Sequence, residues 1–499
     1  MLKSALIKGT FILTLAGFLT RILGFFYKIF LSSVLGTENL GIYQLVFPIY
    51  SICFTLYAGG IQTAISKLVA AEKDTSLYNQ KRVLWKGTIL SFSIACICSV
   101  TLFFTSDFLA SYIIKEPRCA SGLRLLCCVF PFCSITSCIN GFYYGLKKTR
   151  IPAFTQLIEQ LCRILFSIFF VTSFSKKGDY FSCEFAVFSI AVGEFSSMCY
   201  NLLSLLPKKK DKTRHQAKKT GSDGIFHSLF SFALPLTSTH LVISLLHSVE
   251  SILIPNMLKL SGMSTEHALS IYGILTGMSM SLLMFPGTIT NSLSVLLLPS
   301  ISQAQSDKNE TYIQMAAANS VKYCLIIGSF CTAAFLMFGE CFGEFFFQNR
   351  LCGVYLQNLA LLCPLLYMNT ALSSILNGMG KTTLTFWNTV IGLSTRVSLI
   401  LLFIPRYGIG GYFIAMLASQ CLITFLDVYY TRKQVLFSIP IINWIFYPSI
   451  ILILLGLPVY HGYHYTIQIT NIPSIFILGA FLFLYLLFYA LVLKIKKIL

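Results

Sequence analysis

The stretch PFCSITSCINGFYYGLKKTRIPAFTQLIEQLCR, residues 131–163, determines how the chain is organised, because a second stretch repeats its pattern. A shift of 233 positions places it on PLLYMNTALSSILNGMGKTTLTFWNTVIGLSTR, residues 364–396. Identical residues are few, but the ungapped register pairs residues that apolar helices seldom contain: Pro131 with Pro364, Gly145 with Gly378, Lys148 with Lys381, Thr149 with Thr382, Arg163 with Arg396 and, further on, Glu194 with Asp427. A repeat of this size in an apolar chain predicts two structurally similar halves.

The composition identifies the class of protein. Of 499 residues, 56% are hydrophobic and 11% are charged, and the mean hydropathy is +0.76. Soluble domains carry about 25% charged residues. Apolar runs of about 20 residues recur along the chain, which favours membrane-spanning helices over a barrel of short alternating strands.

We therefore predict an all-α integral membrane protein with about 14 transmembrane helices, arranged as two pseudo-symmetric six-helix lobes plus two C-terminal helices. The predicted domains are an N-lobe at 1–206, a basic cytoplasmic linker at 207–226, a C-lobe at 227–433 and the last two helices at 434–499. The predicted spans are 10–34, 40–66, 85–114, 120–146, 151–174, 183–206, 227–255, 268–304, 319–347, 352–377, 382–405, 408–431, 441–460 and 472–494.

The net charge is +19, and the distribution of the basic residues predicts the membrane topology. With the N-terminus in the cytoplasm, most of the 37 Lys and Arg residues fall in cytoplasmic segments, which predicts a multi-pass plasma-membrane protein with both termini cytoplasmic. The lysine-rich linker is then expected to lie near anionic lipid, and nucleic acid is not an expected partner.

The first helix carries small and basic residues on one face. Gly17, Arg21, Gly24, Lys28 and Ser32 follow at spacings of four, three, four and four. A cation facing lipid at this depth costs about 2.5–3.5 kcal/mol, so Arg21 and Lys28 are predicted to line a substrate cavity. The alternative for Lys28 is snorkelling to the outer headgroups.

Further basic residues extend the predicted cavity. Lys67 in the second helix belongs either to the cavity or to the cytoplasmic interface. Arg163 has Glu159 one turn before it and forms either a structural ion pair or part of the cavity. Its repeat counterpart Arg396 has Gly392 at the acidic position, which makes Arg396 the better candidate for binding an anion.

Two interrupted helices are predicted to act as hinges. Gly59 and Gly60 lie in the second helix, and Pro286 and Gly287 lie in the eighth. Paired broken helices in corresponding places indicate a transporter's binding region, although Gly and Pro are also enriched in ordinary membrane helices.

The seventh helix places His240, His247 and Glu250 on one face, either as a proton or cation relay or as a buried hydrogen-bond network. The spacing of the histidines argues against a metal site, and the 17 Cys residues have no ligand spacing. Motifs for nucleotide binding or hydrolysis are missing from the sequence, so we predict neither an enzyme nor a cofactor.

Six stretches carry a resemblance to a known family, and they are listed by position: 8–29, 41–50, 59–72, 156–164, 271–302 and 377–382. In these stretches the chain resembles the stage V sporulation protein B family of the MATE/MOP flippase superfamily, which is related to lipid II flippases and polysaccharide exporters. The resemblance implies an alternating-access transporter that flips an undecaprenyl-pyrophosphate-linked saccharide, with lipid II or a spore-cortex precursor as the expected substrate.

The resemblance transfers only part of the family's binding residues. Arg21 matches the first cavity arginine of lipid II flippases, whereas Tyr27 and Thr55 stand near the next two. For the sodium site of some relatives, Glu250 and Asn388 are the candidates, but Gly392 occupies the second acidic position. Coupling to Na⁺ or H⁺ therefore stays open.

Two other functions compete with the flippase prediction. A cation-coupled multidrug exporter of the MATE type would need acids in the N-lobe cavity, where the sequence offers bases. A scaffold for cell-wall enzymes would bind without translocating. The repeat within one chain also predicts that a monomer is functional.

Overall fold

The computed structural model describes residues 2–71, 77–174, 181–206, 224–437, 440, 442–470 and 474–496, and every regular element in these ranges is helical. The expected all-α membrane architecture is confirmed. The chain forms two compact units, Met1–Gly273 and Ile274–Leu499. The two compact units divide after Gly273, whereas the sequence places the boundary between the lobes at the linker 207–226. The predicted domain boundaries therefore stay predictions. Residues 207–223 of that linker lie outside the described residues.

The first unit consists of helices that run from near the N-terminus to Gly273. They are α1 Leu2–Phe54, α2 Gly60–Ala71, α3 Leu77–Phe108, α4 Cys119–Leu126, α5 Val129–Gly145, α6 Arg150–Phe174, α7 Cys183–Ser204, α8 Gly224–Leu260 and α9 Thr265–Gly273.

The second unit contains the remaining helices, including two without counterparts in the repeat. They are α10 Met280–Met284, α11 Gly287–Ser306, α12 Glu310–Phe347, α13 Arg350–Leu359, α14 Leu362–Gly378, α15 Thr382–Tyr407, α16 Ile409–Gln434, α17 Tyr447–Ile469 and α18 Ser474–Ile495.

The number of candidate spans depends on how the longest and the bent helices are divided. Within the described residues, 11 helices are long and apolar enough to cross a membrane, or up to 13 if each of two bent helix pairs is one span. The count of 14 is not confirmed, because the first two predicted spans form one helical stretch, Ile12–Ala71. At 1.5 Å per residue these 60 residues would extend about 90 Å, about three times the hydrocarbon thickness. Gly36 breaks the stretch with φ 72° and ψ 175°, a break too short to appear as a loop.

The helix bounds follow the repeat that the sequence shows. When 233 is added to the residue numbers of α5, both ends coincide with those of α14. The same shift of α6 reproduces the last residue of α15 and comes within one residue of its first. Each copy is also preceded by a short helix at an angle: α4 and α5 are bent by 43°, and α13 and α14 by 60°. The similarity therefore extends from the sequence to the folded elements.

Each unit packs its own apolar core. In the first unit, buried side chains from α2, α3, α5 and α8 form one cluster that includes Ile65, Leu84 and Phe142. In the second unit, α17 and α18 pack against α12, where Tyr485 and Tyr489 are buried. The two C-terminal helices are thus attached to the second unit through α12.

Within the described ranges, four π-helical turns occur, each of which accommodates one extra residue. These turns are Thr55–Gly59, Leu109–Ile114, Ile274–Ser279 and Ile442–Phe446. Such turns are rare in ordinary helices and often occur at functional sites. The first of them joins α1 to α2 and ends at Gly59, one of the predicted hinge residues.

Candidate functional site

The basic residues of α1 are accessible in the structure. Arg21 and Lys28 are both exposed, whereas Ser32 on the same predicted face is buried. A side chain at Gly17 would meet open space, and at Gly24 a Cβ would lie 3.7 Å from Gln160 Nε2 of α6. The predicted face is therefore open at its N-terminal end and packs against α6 further along.

The helical stretch that carries these cations holds few acids of its own. Glu38 is the one acid in Ile12–Ala71, and its Oε1 pairs with Arg118 Nη1 at 2.6 Å. Among the described residues Arg21 forms no ion pair. Lys67 is exposed, and its Nζ lies 4.0 Å from the ring centroid of Phe232 in α8, a cation–π contact. Lys67 is thus anchored to a neighbouring helix.

In α6, Arg163 forms the ion pair that the sequence suggested. Its Nη2 donates to Glu159 Oε1 at 2.6 Å, and the two side chains keep 17% and 24% of their surface exposed. A Cβ at Gly193 of α7 would lie 3.3 Å from Arg163 Nε, so the glycine allows α7 to approach the pair. The Nε atom is buried and has no hydrogen-bond partner among the described residues.

In α15, Arg396 is buried and binds to neutral side chains of α16. Its Nε donates to Ser419 Oγ at 2.7 Å, and its Nη2 donates to Gln420 Oε1 at 3.3 Å. A Cβ at Gly392 would collide with the side chain of Ile423. The position one turn before Arg396 on its own helix is therefore closed by packing, and the hydrogen bonds described here reach across to α16.

Asn388 belongs to a buried polar cluster that also includes the acid Asp427. The Asn388 Nδ2 donates to Asp427 Oδ1 at 2.7 Å. The single hydroxyl proton of Ser373 is within reach of Asn369 Oδ1, 3.0 Å from Oγ, and of Asp427 Oδ2, 3.3 Å from Oγ. The three helices α14, α15 and α16 each contribute to this cluster. The sequence repeat pairs Asp427 with Glu194 and gives no sign of its contact with Asn388.

A related polar cluster lies at the matching place of the first unit. Thr155 Oγ1 donates to Asn201 Oδ1 at 2.7 Å, and Asn201 Nδ2 donates to Asn140 Oδ1 at 3.3 Å. The 233-residue shift relates Asn140 to Ser373 and Thr155 to Asn388. The shift pairs these two positions but not the third members of the clusters, because Asn201 falls on Gln434 and Asp427 on Glu194.

The face of α8 is only partly buried. His247 Nδ1 lies 3.6 Å from Glu250 Oε2, with 54% of the histidine side chain and 7% of the glutamate exposed. His240, two turns away, is exposed. On the same helix Ser248 Oγ donates to the carbonyl oxygen of Pro48 at 3.0 Å, so this face packs partly against α1. In the described part of the chain, no group of three or more His, Cys, Asp or Glu could hold a metal ion.

Both predicted hinges lie at helix junctions. Gly59 ends a π-helical turn and Gly60 begins α2, where a Cβ would collide with the Ala233 carbonyl oxygen of α8. Pro286 lies between α10 and α11, Gly287 begins α11, and a Cβ at Gly287 would lie 2.8 Å from Tyr367 Cε1. The glycines permit close helix packing at these junctions, and whether the junctions bend in function stays a prediction.

Solved structures share this fold. The lipid II flippase MurJ in an inward closed conformation aligns with a TM-score of 0.72 and 13% identity, covering 98% of this chain and 99% of that chain. An inward-facing multidrug resistance MATE family transporter of the MOP superfamily aligns with a TM-score of 0.66 and 14% identity, covering 83% and 94%. At these identities the similarity establishes the fold alone.

Sequence comparisons identify relatives and a family. Stage V sporulation protein B of Bacillus subtilis is 28% identical over 447 residues, covering 88% of this chain and 86% of the relative. Lipid II flippase MurJ of Bacillus subtilis is 23% identical over 333 residues, covering 62% and 60%. The family model described as polysaccharide biosynthesis protein matches residues 6–305, more than half of the chain. The chain therefore belongs to the polysaccharide biosynthesis protein family.

Proposed function

We propose that this protein is a flippase of the MOP superfamily that moves an undecaprenyl-pyrophosphate-linked saccharide across the plasma membrane by alternating access. Lipid II or a related peptidoglycan precursor is the first candidate substrate, because lipid II flippase MurJ is among the relatives. The similarity to stage V sporulation protein B supports a role in spore-cortex synthesis. These relatives also support a transporter and not an enzyme.

The charged residues of the first helical stretch indicate the sign of the substrate's charge. The membrane-spanning stretch Ile12–Ala71 holds three basic residues and one acid, and that acid is paired with Arg118. Arg21 and Lys28 remain exposed in this membrane-spanning stretch, where a cation is costly unless it meets water or an anion. An accessible basic face favours an anionic substrate such as a diphosphate.

The chemistry of the substrate explains why such a face is needed. A diphosphate-sugar headgroup cannot enter hydrocarbon, because an ionised group loses its hydration there. Guanidinium and ammonium groups replace that hydration by charge-assisted hydrogen bonds, while the lipid tail stays in the bilayer. Arg21 and Lys28 supply such groups at the exposed face of α1, and Arg396 supplies a buried one.

The negative charge of the substrate also suggests what drives its transport. A potential that is negative inside favours outward movement of an anion by about 2.3 kcal/mol per charge per 100 mV. Coupling to Na⁺ or H⁺ is the alternative, for which Glu250 and the Asn388–Asp427 cluster are the candidate residues. We further propose that the chain functions as a monomer with both termini in the cytoplasm.

A reconstituted translocation assay tests the function. Liposomes that contain the purified protein should flip fluorescent lipid II, and the double variant Arg21→Ala, Arg396→Ala should lower the rate about tenfold or more, since each charge-assisted contact contributes about 1.5–3 kcal/mol. Arg350→Ala is the matched control, because Arg350 is exposed and pairs only with Glu340 among the described residues. An unchanged rate in the double variant would remove both arginines from the substrate path.

The second candidate function is export of cationic drugs, which the MATE-like fold favours. It predicts ethidium efflux coupled to an imposed Na⁺ or H⁺ gradient and no lipid II flipping. Running both assays on the same proteoliposomes separates the two functions. Binding of lipid II without translocation would instead indicate a scaffold for cell-wall enzymes.

A further inference from the structure

The turn at Gly380, Lys381 and Thr382 borders a polar cavity in the second unit that the proposed transport mechanism does not use. The cavity has a volume of about 470 Å³ and lies where α11 ends, α12 begins, α14 turns into α15, and α16 ends. This volume falls within the range of small-ligand sites. Its polar lining consists of Gln305, Lys308, Glu310, Gln314, Lys381, Lys433 and Gln434.

The cavity concentrates positive charge. Lys308, Lys381 and Lys433 come from three separate segments of the chain, and all three are exposed. Glu310 is the single acid in the lining, and among the described residues it forms no ion pair with any of the three lysines. Three ammonium groups around one small volume repel one another, so an anion placed between them lowers the electrostatic energy.

Fixed turns hold two of the lysines in place. Lys308 has a φ of 52°, and the turn is closed by a hydrogen bond from Asn309 N to Ala304 O at 2.9 Å. Lys381 follows Gly380, which has a φ of 78°, and its own N donates to Leu376 O at 2.9 Å. Because the backbone is already ordered at both turns, a ligand would only need to order the side chains.

We propose that this cavity binds a phosphate group, supplied either by the headgroup of an anionic phospholipid or by a small soluble phosphate. Lysine ammonium groups bind phosphate as point charges, and the three glutamine amides offer additional N–H donors to its oxygens. All three lysines lie in segments that the distribution of charge assigns to the cytoplasmic side. The ligand would therefore come from the cytoplasm or from the inner leaflet.

Binding can be measured on the full-length protein in a zwitterionic detergent. Inorganic phosphate should raise the unfolding temperature at low salt, compared with chloride at equal ionic strength, and mixed micelles with phosphatidylglycerol should do so compared with phosphatidylcholine. The variant Lys308→Gln, Lys381→Gln, Lys433→Gln should raise the apparent Kd about tenfold, since three exposed charge contacts of modest strength are lost. An effect of phosphate alone identifies a soluble ligand, and an effect of phosphatidylglycerol alone identifies a lipid headgroup.

A matched control tests whether the site, and not the total charge, is responsible. Lys147→Gln, Lys148→Gln, Arg150→Gln removes the same charge at the repeat-related turn of the first unit, where Lys148 is the counterpart of Lys381. This variant should keep the Kd of the unmodified protein. Equal weakening in both triple variants, or no stabilisation by either probe, would overturn the proposal.

A variant that is expected to bind phosphate more tightly provides a second test if the triple variant does not fold. Glu310→Gln removes the one carboxylate from the lining, so phosphate should bind about two- to threefold more tightly, with an effect that fades as salt screens the cavity. Weaker binding in this variant would contradict a site governed by the three lysines.

Discussion

The two halves of the molecule carry an arginine at the same place in the repeat, but the two arginines have different neighbours. Arg163 in α6 pairs with Glu159 on its own helix, whereas the described hydrogen bonds of Arg396 in α15 go to Ser419 and Gln420 on α16. The repeat has thus retained the cation and changed its partner. A charge in a membrane helix can be satisfied within its own helix or across to the next one.

Packing explains why Arg163 and Arg396 have different hydrogen-bond partners. In the second unit, Ile423 fills the space beside Gly392, where the first unit has Glu159. In the first unit, the positions that match Ser419 and Gln420 are Ala186 and Val187, which are buried and cannot accept a hydrogen bond through their side chains. Exchanging these features between the halves tests the comparison.

The largest effect is expected from giving the second unit the acid of the first. Gly392→Glu should destabilise the protein by about 3 kcal/mol or more, because the new side chain collides with Ile423 and carries a carboxylate into a filled space. Thermal unfolding in detergent measures this loss. The double variant Gly392→Glu, Ile423→Ala should recover part of it. Full stability of the single variant would show that packing does not impose the difference.

The next largest effect should follow from removing the acid of the first unit. Glu159→Gln leaves Arg163 without its ion-pair partner and should cost about 2 kcal/mol, less than for a fully buried pair because both side chains are partly exposed. Glu340→Gln breaks the more exposed pair with Arg350 and serves as the control, with an expected cost below about 1 kcal/mol. Equal unfolding temperatures for the two variants would contradict a structural role for the Glu159 pair.

Loss of the neutral partner in the second unit should have a smaller cost. Ser419→Ala removes the acceptor of the Arg396 Nε donor and should lower stability by about 1–2 kcal/mol. Ser398→Ala is the control on α15, because Ser398 is exposed and its hydroxyl bonds only to its own helix among the described residues. If Ser398→Ala destabilises the protein as much, the cross-helix hydrogen bond has no special importance.

The smallest effect is a predicted gain. Ala186→Ser places a hydroxyl at the position that matches Ser419 and would offer an acceptor to the unpartnered Arg163 Nε, with a gain of about 0.5–1 kcal/mol. Ala317→Ser, at another fully buried alanine, should be neutral or destabilising. A lower unfolding temperature for Ala186→Ser than for Ala317→Ser would show that the two arginine sites are not geometrically equivalent.

The sequence predicted the helices well because apolar runs and rare Pro, Gly and charged residues mark their positions. It placed a break between the first two spans at 35–39, and in the structure this break is the single residue Gly36 within a continuous helical stretch. It predicted the cation Arg396, but not its partners Ser419 and Gln420. Short polar side chains are common in membrane helices, and their pairing depends on helix rotation, which periodicity alone does not fix.

The π-helical turn at Thr55–Gly59 has a consequence for how the second span is interpreted. One inserted residue rotates everything that follows by about 100° about the helix axis, because an α-helix has 3.6 residues per turn. Side chains of α2 are therefore out of phase with those of α1, although the two helices follow each other without a loop. Deleting one residue from this turn would restore a common phase and move the Lys67 ammonium away from the ring of Phe232. The orientation of α2 is thus determined by a local insertion and not by the amphipathic pattern of α1.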